Sequence, residues 1–175
     1  MNASQTPNFG FVTVTDLGGA VRIGGYLILN STGRPLEFHC TAPVRPNRAQ
    51  EILYGATLES YLHGEQIGQA LIANGQVQPD LILTDRASVL SLREFSTIPV
   101  ACLWDSNRAL QAGERMADPN LISCLADDFS LRLDIRYQGE SDAIRSMIES
   151  RQAKWDLWEP FERITDAVSE LQKAA

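Results

Sequence analysis

The sequence predicts a mixed α/β domain, and three observations carry that reading. Residues 9–41 hold three apolar-rich segments separated by short turn sequences, the pattern of an antiparallel meander. Residues 80–103 hold two short, continuously apolar runs joined by a helical stretch, the pattern of parallel strands in a βαβ unit. From about residue 138 onward apolar residues recur at helical spacing, so helices close the chain.

Each element follows from local chemistry. Phe9 to Thr15 alternates apolar and polar residues, as a half-buried strand does, and Asp16-Leu17-Gly18-Gly19 reads as a turn. Val21 to Asn30 is a second strand and Asn30-Ser31-Thr32-Gly33 the next turn. Pro35 to Thr41 is the third strand, ended by Pro43 and Pro46, which cannot donate to a ladder. Asn47 caps a helix that starts at Arg48, with a break expected near Gly64. Asp80-Leu81-Ile82-Leu83-Thr84-Asp85 reads as a strand buried on both faces, Ala87 to Phe95 as a short helix, and Ile98 to Leu103 as another buried strand. Residues 106–117 look helical and 119–128 like a loop or short helix. Leu131, Leu133 and Ile135 alternate with polar residues as a last strand. A helix from Ser141 carries the stripe Ile144, Met147, Ile148, Arg151, Trp155 and Trp158. Pro160 separates it from a final helix with Phe161, Ile164, Val168 and Leu171 on one face.

The chain has 175 residues, which fits one domain over 1–175, with a core over 9–137 and C-terminal helices over 138–175. Its formal charge is −7, unevenly spread. Residues 1–60 hold four Arg against four acids, whereas residues 61–130 hold four Arg against nine. A broad basic stripe for nucleic acid is therefore missing, and a local grip by Arg34, Arg45 and Arg48 in the neutral part is what the composition allows. Cys40, Cys102 and Cys124 are widely spaced with no CxxC, as in reduced thiols of a cytosolic protein. No run of about 18 apolar residues and no leader-like start is present, so the expectation is a cytoplasmic protein without a membrane span. His39 and Cys40 are adjacent on a strand and point to opposite faces, which excludes a Cys–His catalytic pair.

Three short motifs stand out: Val14-Thr15-Asp16 followed by Gly24-Gly25-Tyr26, then Asn47-Arg48-Ala49-Gln50-Glu51, then Ile82-Leu83-Thr84-Asp85. Together with the element order they resemble the ribonuclease H superfamily, over about residues 9–95 and more loosely over 131–150. The resemblance implies a ribonuclease H-like mixed sheet with C-terminal helices. It also implies a hydrolase, a divalent-metal-dependent phosphodiesterase acting on RNA or DNA. Asp16, Glu51, Asp85 and Asp142 would then be the catalytic carboxylates and ligands of Mg²⁺ or Mn²⁺, and Arg48 and Arg86 would orient the substrate phosphate. Two hard cations held close together need such a cluster of oxygen ligands.

Structural roles are open to the same residues: a turn for Asp16, a favourable helix-dipole position for Glu51, an N-cap for Asp85. The sequence also departs from the family. Leu17 follows the first Asp in place of Gly. Arg86 follows the third, where it would contact phosphate or else pair with Asp85 and fill the metal position. No histidine lies near Asp142, since His39 and His63 sit on other segments. The alternative expectation is thus a non-catalytic ribonuclease H-like protein, a scaffold or subunit that meets a protein partner or a second copy through its C-terminal helices, where Trp155 and Trp158 lie three apart.

Overall fold

The computed structural model describes residues 5–115 and 117–175. The start of the expected leaderless N-terminus, residues 1–4, and residue 116 of the expected 106–117 helix lie outside the described residues. Strands β1 (Phe9–Gly18), β2 (Val21–Leu29) and β3 (Pro35–Cys40) form the antiparallel meander. A short α1 (Arg48–Tyr54) leads to a longer helix, α2 (residues 58–74). Then come β4 (Leu81–Thr84), a 3₁₀ stretch Ala87–Phe95, β5 (Val100–Leu103), α3 (Ser106–Gln111), β6 (Leu121–Ala126) and β7 (Phe129–Asp134). Helices α4 (Ser141–Glu149) and α5 (Glu159–Ala174) end the chain.

Among the described residues, seven strands join one sheet in the order β3-β2-β1-β4-β5-β7-β6. The central β1, β4 and β5 are parallel and both flanks are antiparallel. Leu81, Ile82 and Leu83 of β4 are fully buried, as a strand covered on both faces must be. Phe9, Phe11, Leu81 and Leu83 pack on one face against Ile144 and Ile148 of α4 and Phe161, Ile164 and Val168 of α5. Val12, Val14 and Ile82 pack on the other face against Ile67 and Leu71 of α2 and Val89, Leu90 and Leu92. No described helix is long and apolar enough to cross a membrane.

Two adjacent glycines in β2 set how closely helices approach. A Cβ on Gly24 would sit 2.1 Å from Ile67 Cγ2, and one on Gly25 would sit 2.2 Å from Ile164 Cγ2. Neighbouring strand residues face opposite sides, so one glycine admits α2 and the other α5.

Several sequence expectations need correction. Asp16 lies within β1, paired with Arg22, because the turn comes later at Gly18 and Gly19, both at positive φ. No break occurs at Gly64. Residues Tyr61–Gly68 instead widen into a π-helical stretch inside α2. Residues 121–126, read as loop, form β6, an outer strand whose alternation is blurred because it is only partly covered. Ile135 falls outside β7 and is exposed. Ala87–Phe95 is 3₁₀, and the helix expected over 106–117 covers only Ser106–Gln111. The stripe through Trp158 is not one helix, since α4 ends at Glu149, and Pro160 sits in the first turn of α5, where a missing N–H costs nothing. Leu171 is exposed rather than on the buried face of α5. All three cysteines are free: Cys102 is buried, Cys124 partly so and Cys40 exposed.

The segment 150–158 holds only a short 3₁₀ turn, Gln152–Lys154, and is fixed by side chains. The indole of Trp155 donates to Ser31 O at 3.0 Å and meets Phe9 edge-on at 5.8 Å between ring centroids. Arg151, nearly fully buried, donates to Trp155 O, Ile148 O and Asp127 Oδ2 at 2.7–2.9 Å. On the opposite side, Glu37 accepts the backbone N–H of Gln76 at 2.8 Å and of Val77 at 2.7 Å, tying β3 to the approach to β4. These bonds, led by Gln76 and joined by His39, bring its carboxyl down to about 2.

Candidate functional site at the carboxyl ends of β1 and β4

In open α/β sheets ligands bind beyond the carboxyl ends of the parallel strands. Here that edge is built by the ends of β1, β4 and β5, the π-helical part of α2 and the residues after β4. The strand register decides what meets there. Val12 pairs with Thr84, so the next position brings Thr13 level with Asp85. Asp16 lies three residues further along β1, about 10 Å at strand rise. Alternation puts Thr13 and Asp85 on the face of Phe11 and Leu83, and Asp16 on the opposite face with Val12 and Val14.

Asp85 is deeply set. Burial pushes its carboxyl up, opposed by the Thr13 hydroxyl and by Arg86 and Arg108, and its Oδ1 is a buried atom without a hydrogen-bond partner. It opens into a cleft lined by Trp104, Asp105, Arg108, Glu114 and Trp158, where the Arg108 guanidinium stacks on Trp158 at 4.4 Å. A cavity of about 30 Å³ admits one or two waters and no nucleobase. Glu114, whose Oε1 accepts the Ala87 N–H at 3.3 Å, is also raised by burial.

Asp16 meets cations instead. Arg22 Nε and Arg86 Nη2 each lie 3.4 Å from its carboxylate oxygens. Beneath them is His63, only 1% exposed, with Nδ1 2.6 Å from Ser88 Oγ and Nε2 unpartnered. Burial, then Arg86 and Arg22, bring this imidazole down to about 4, with Asp16 opposing, so it is neutral at physiological pH.

Glu51 and Asp142 stand elsewhere. Glu51 is bonded to Arg48 at 3.1 Å on α1, a helix that buries none of its residues. Asn47 caps that helix as expected, in a reciprocal pair with Gln50. Asp142 is almost wholly exposed, 3.6 Å from Arg145, on α4, which packs against β6. The Cys124 thiol of β6, raised mainly by burial, also senses Asp142. Three strand spacings, about 14 Å, separate β6 from β4 in the sheet order. Of the four candidate carboxylates, only Asp16 and Asp85 lie at this edge, and on opposite faces.

The donor set does not fit a two-cation centre. Among the described residues no group of three or more His, Cys, Asp or Glu side chains is placed to hold a metal ion. The position closest to Asp16 is held by two guanidiniums, and the side chain level with Asp85 on β1 is a neutral threonine. Sequence reading missed Thr13 and His63. The signal for His63 was present: His63, Ile67 and Leu71 recur every four residues, which puts the histidine on the buried stripe of α2.

Solved structures share this architecture. The chain superimposes on a variant of Ciona intestinalis endonuclease V, in complex with a DNA containing an inosine followed by a ribo-adenosine, with TM-score 0.54 and 12% identity, covering 99% of this chain and 88% of that one. The catalytic domain of human endonuclease V matches with TM-score 0.52 and 10% identity, covering 98% and 86%. The fold is ribonuclease H-like. No family model matches the sequence, and no curated protein does. At these identities the likeness is one of fold.

Proposed function

We propose that the protein is a nucleic-acid-binding member of the ribonuclease H-like fold, engaging the sugar-phosphate backbone at the carboxyl ends of β1 and β4. The observation that carries this reading is the pair Arg22 and Arg86, two guanidiniums against the single carboxylate of Asp16 at the ligand-binding edge of the sheet. A guanidinium matches phosphate oxygens bidentately, and such contacts position a strand without reading its sequence. Support also comes from the near-complete superposition on a protein crystallised with DNA. In this reading Arg86 takes the phosphate-contacting role expected of it. Arg48 lies on the exposed α1, where it pairs with Glu51. The overall charge of −7 makes the contact local.

A second reading, metal-dependent phosphodiester hydrolysis, is favoured by one observation, the unpartnered buried Oδ1 of Asp85. Mg²⁺ is often held by one or two carboxylates together with substrate phosphates. The four-carboxylate cluster that the family resemblance implied is not assembled, so no catalytic step is derived from it. Nucleic-acid binding is the reading we propose, and hydrolysis is the second reading. A nuclease assay with Mn²⁺ and with Mg²⁺ on single-stranded, duplex and hybrid substrates separates the readings, with Asp85→Asn beside the wild type. The expected result is retention of substrate in a binding assay with no cleavage by either protein. Cleavage by the wild type that disappears in Asp85→Asn reinstates hydrolysis. A cytoplasmic location, and contacts with a protein partner or a second copy through α4 and α5, belong to the same proposal.

A further inference from the structure

We propose that Arg22, His63 and Arg86 form a seat for one phosphodiester group that works without a divalent cation, and that Asp16 closes the seat in the free protein. This deepens the nucleic-acid-binding reading and rests on it. Buried polar atoms in folded proteins nearly always have partners. Here two buried nitrogens have none: Arg22 Nε, which lies 3.4 Å from Asp16 Oδ1 without the alignment of a hydrogen bond, and His63 Nε2. The Ser88 hydroxyl lies 2.6 Å from His63 Nδ1, and in the tautomer the proposal requires, with that hydroxyl donating, the hydrogen of the neutral ring sits on Nε2 and adds a donor at the floor of the site.

The charge is right for the ligand. Arg22 and Arg86 against Asp16 leave one positive charge, the complement of a singly charged phosphodiester. Arg86 also faces Asp85 and Glu114, whose carboxyls burial pushes up. The Asp16 side chain is 53% exposed, so it is free to turn out to solvent, while Arg22 and Arg86 are 17% and 30% exposed and stay at the edge of the sheet. Two guanidiniums repel a cation at this position and attract an anion.

The test is binding of a short fluorescent single-stranded DNA in excess EDTA. Alongside it, inorganic phosphate is titrated while the imidazole nitrogen signals of His63 are followed by NMR. The DNA is expected to bind in EDTA, and Asp16→Asn to bind it several-fold more tightly because the arginines lose their internal competitor. Arg22→Gln and Arg86→Gln should each weaken binding about tenfold and lower the slope of log affinity against log salt by about one. Arg86→Lys, which keeps the charge and guards against loss of fold, should lose affinity while keeping the salt slope. Phosphate should move the His63 Nε2 signal in the wild type and not in Arg86→Gln. Binding that requires Mg²⁺, or weaker binding by Asp16→Asn, overturns the seat. A His63 signal unmoved by phosphate overturns it as well, even where the DNA binds. If phosphate moves His63 but no nucleic acid binds, the seat stands and the nucleic-acid reading falls.

Discussion

His63 is held neutral by its surroundings, and that has a consequence for stability. Burial, then Arg86 and Arg22, lower its folded-state value to about 4, whereas an unfolded histidine titrates near 6.5. Between those values the unfolded chain takes up a proton that the folded chain refuses. The stabilisation is therefore complete above the unfolded value and is lost as pH falls through about 4. The shift corresponds to on the order of 3 kcal/mol. Urea unfolding of the wild type should show this loss across the window, and His63→Gln should flatten it. An unchanged slope in the variant would mean that other groups, the carboxylates of the site among them, set the acid limit. Thr13 makes the complementary point. It stands level with Asp85 only because Val12 pairs with Thr84, a register that no residue of β1 announces by itself.

Among the elements, β2 and α2 do most to shape the site. The Gly24–Gly25 pair lets α2 and α5 seat against opposite faces of one strand, and α2 then delivers His63 to the end of the sheet. A methyl group at either glycine meets an isoleucine, so Gly24→Ala and Gly25→Ala should each destabilise by about 1–3 kcal/mol, the usual range for overpacking. Their effects on binding should differ. Gly24→Ala pushes on Ile67, one turn from His63, and should weaken DNA binding along with stability, whereas Gly25→Ala pushes on Ile164 of α5 and should leave binding in place. Measuring unfolding midpoints and DNA affinity for both variants checks this; equal effects on binding would disconnect α2 packing from the site. The π-helical stretch of α2 was not legible in the sequence, because glycine at 64 reads equally as a break. In the folded chain a Cβ there would lie 1.8 Å from Ser91 Oγ, so the glycine serves close packing of α2 on the 3₁₀ stretch. The residues after α4 show the same limit. Helical spacing continues through Trp155, but α4 ends at Glu149, and Trp155 packs on Phe9 and Phe11 and bonds Ser31 O.

At the scale of the whole molecule, one seven-stranded sheet separates two apolar layers, with α4 and α5 in one and α2 in the other. α4 and α5 cover the same face as Phe9 and Phe11, so the C-terminal residues 138–175 complete the core rather than append to it. We propose that the chain is a single domain, which should unfold in one transition, with far-ultraviolet circular dichroism and tryptophan fluorescence coinciding. Separate transitions would show that α4 and α5 form an independent unit. The order of the meander and the parallel strands was readable from the sequence alone, because alternation, continuous apolar runs and turn residues are local signals. The sequence by itself determined the fold class, the central strands and the presence of carboxylates and arginines near their ends. Only the tertiary structure decided which of them meet. Strand register set Thr13, not Asp16, beside Asp85. The winding of α2 carried His63 to the site, and the sheet order left Asp142 about three strand spacings away. A sequence fixes the periodicity of each element, but a site is made by offsets between elements, and those offsets arise from packing that no single segment contains.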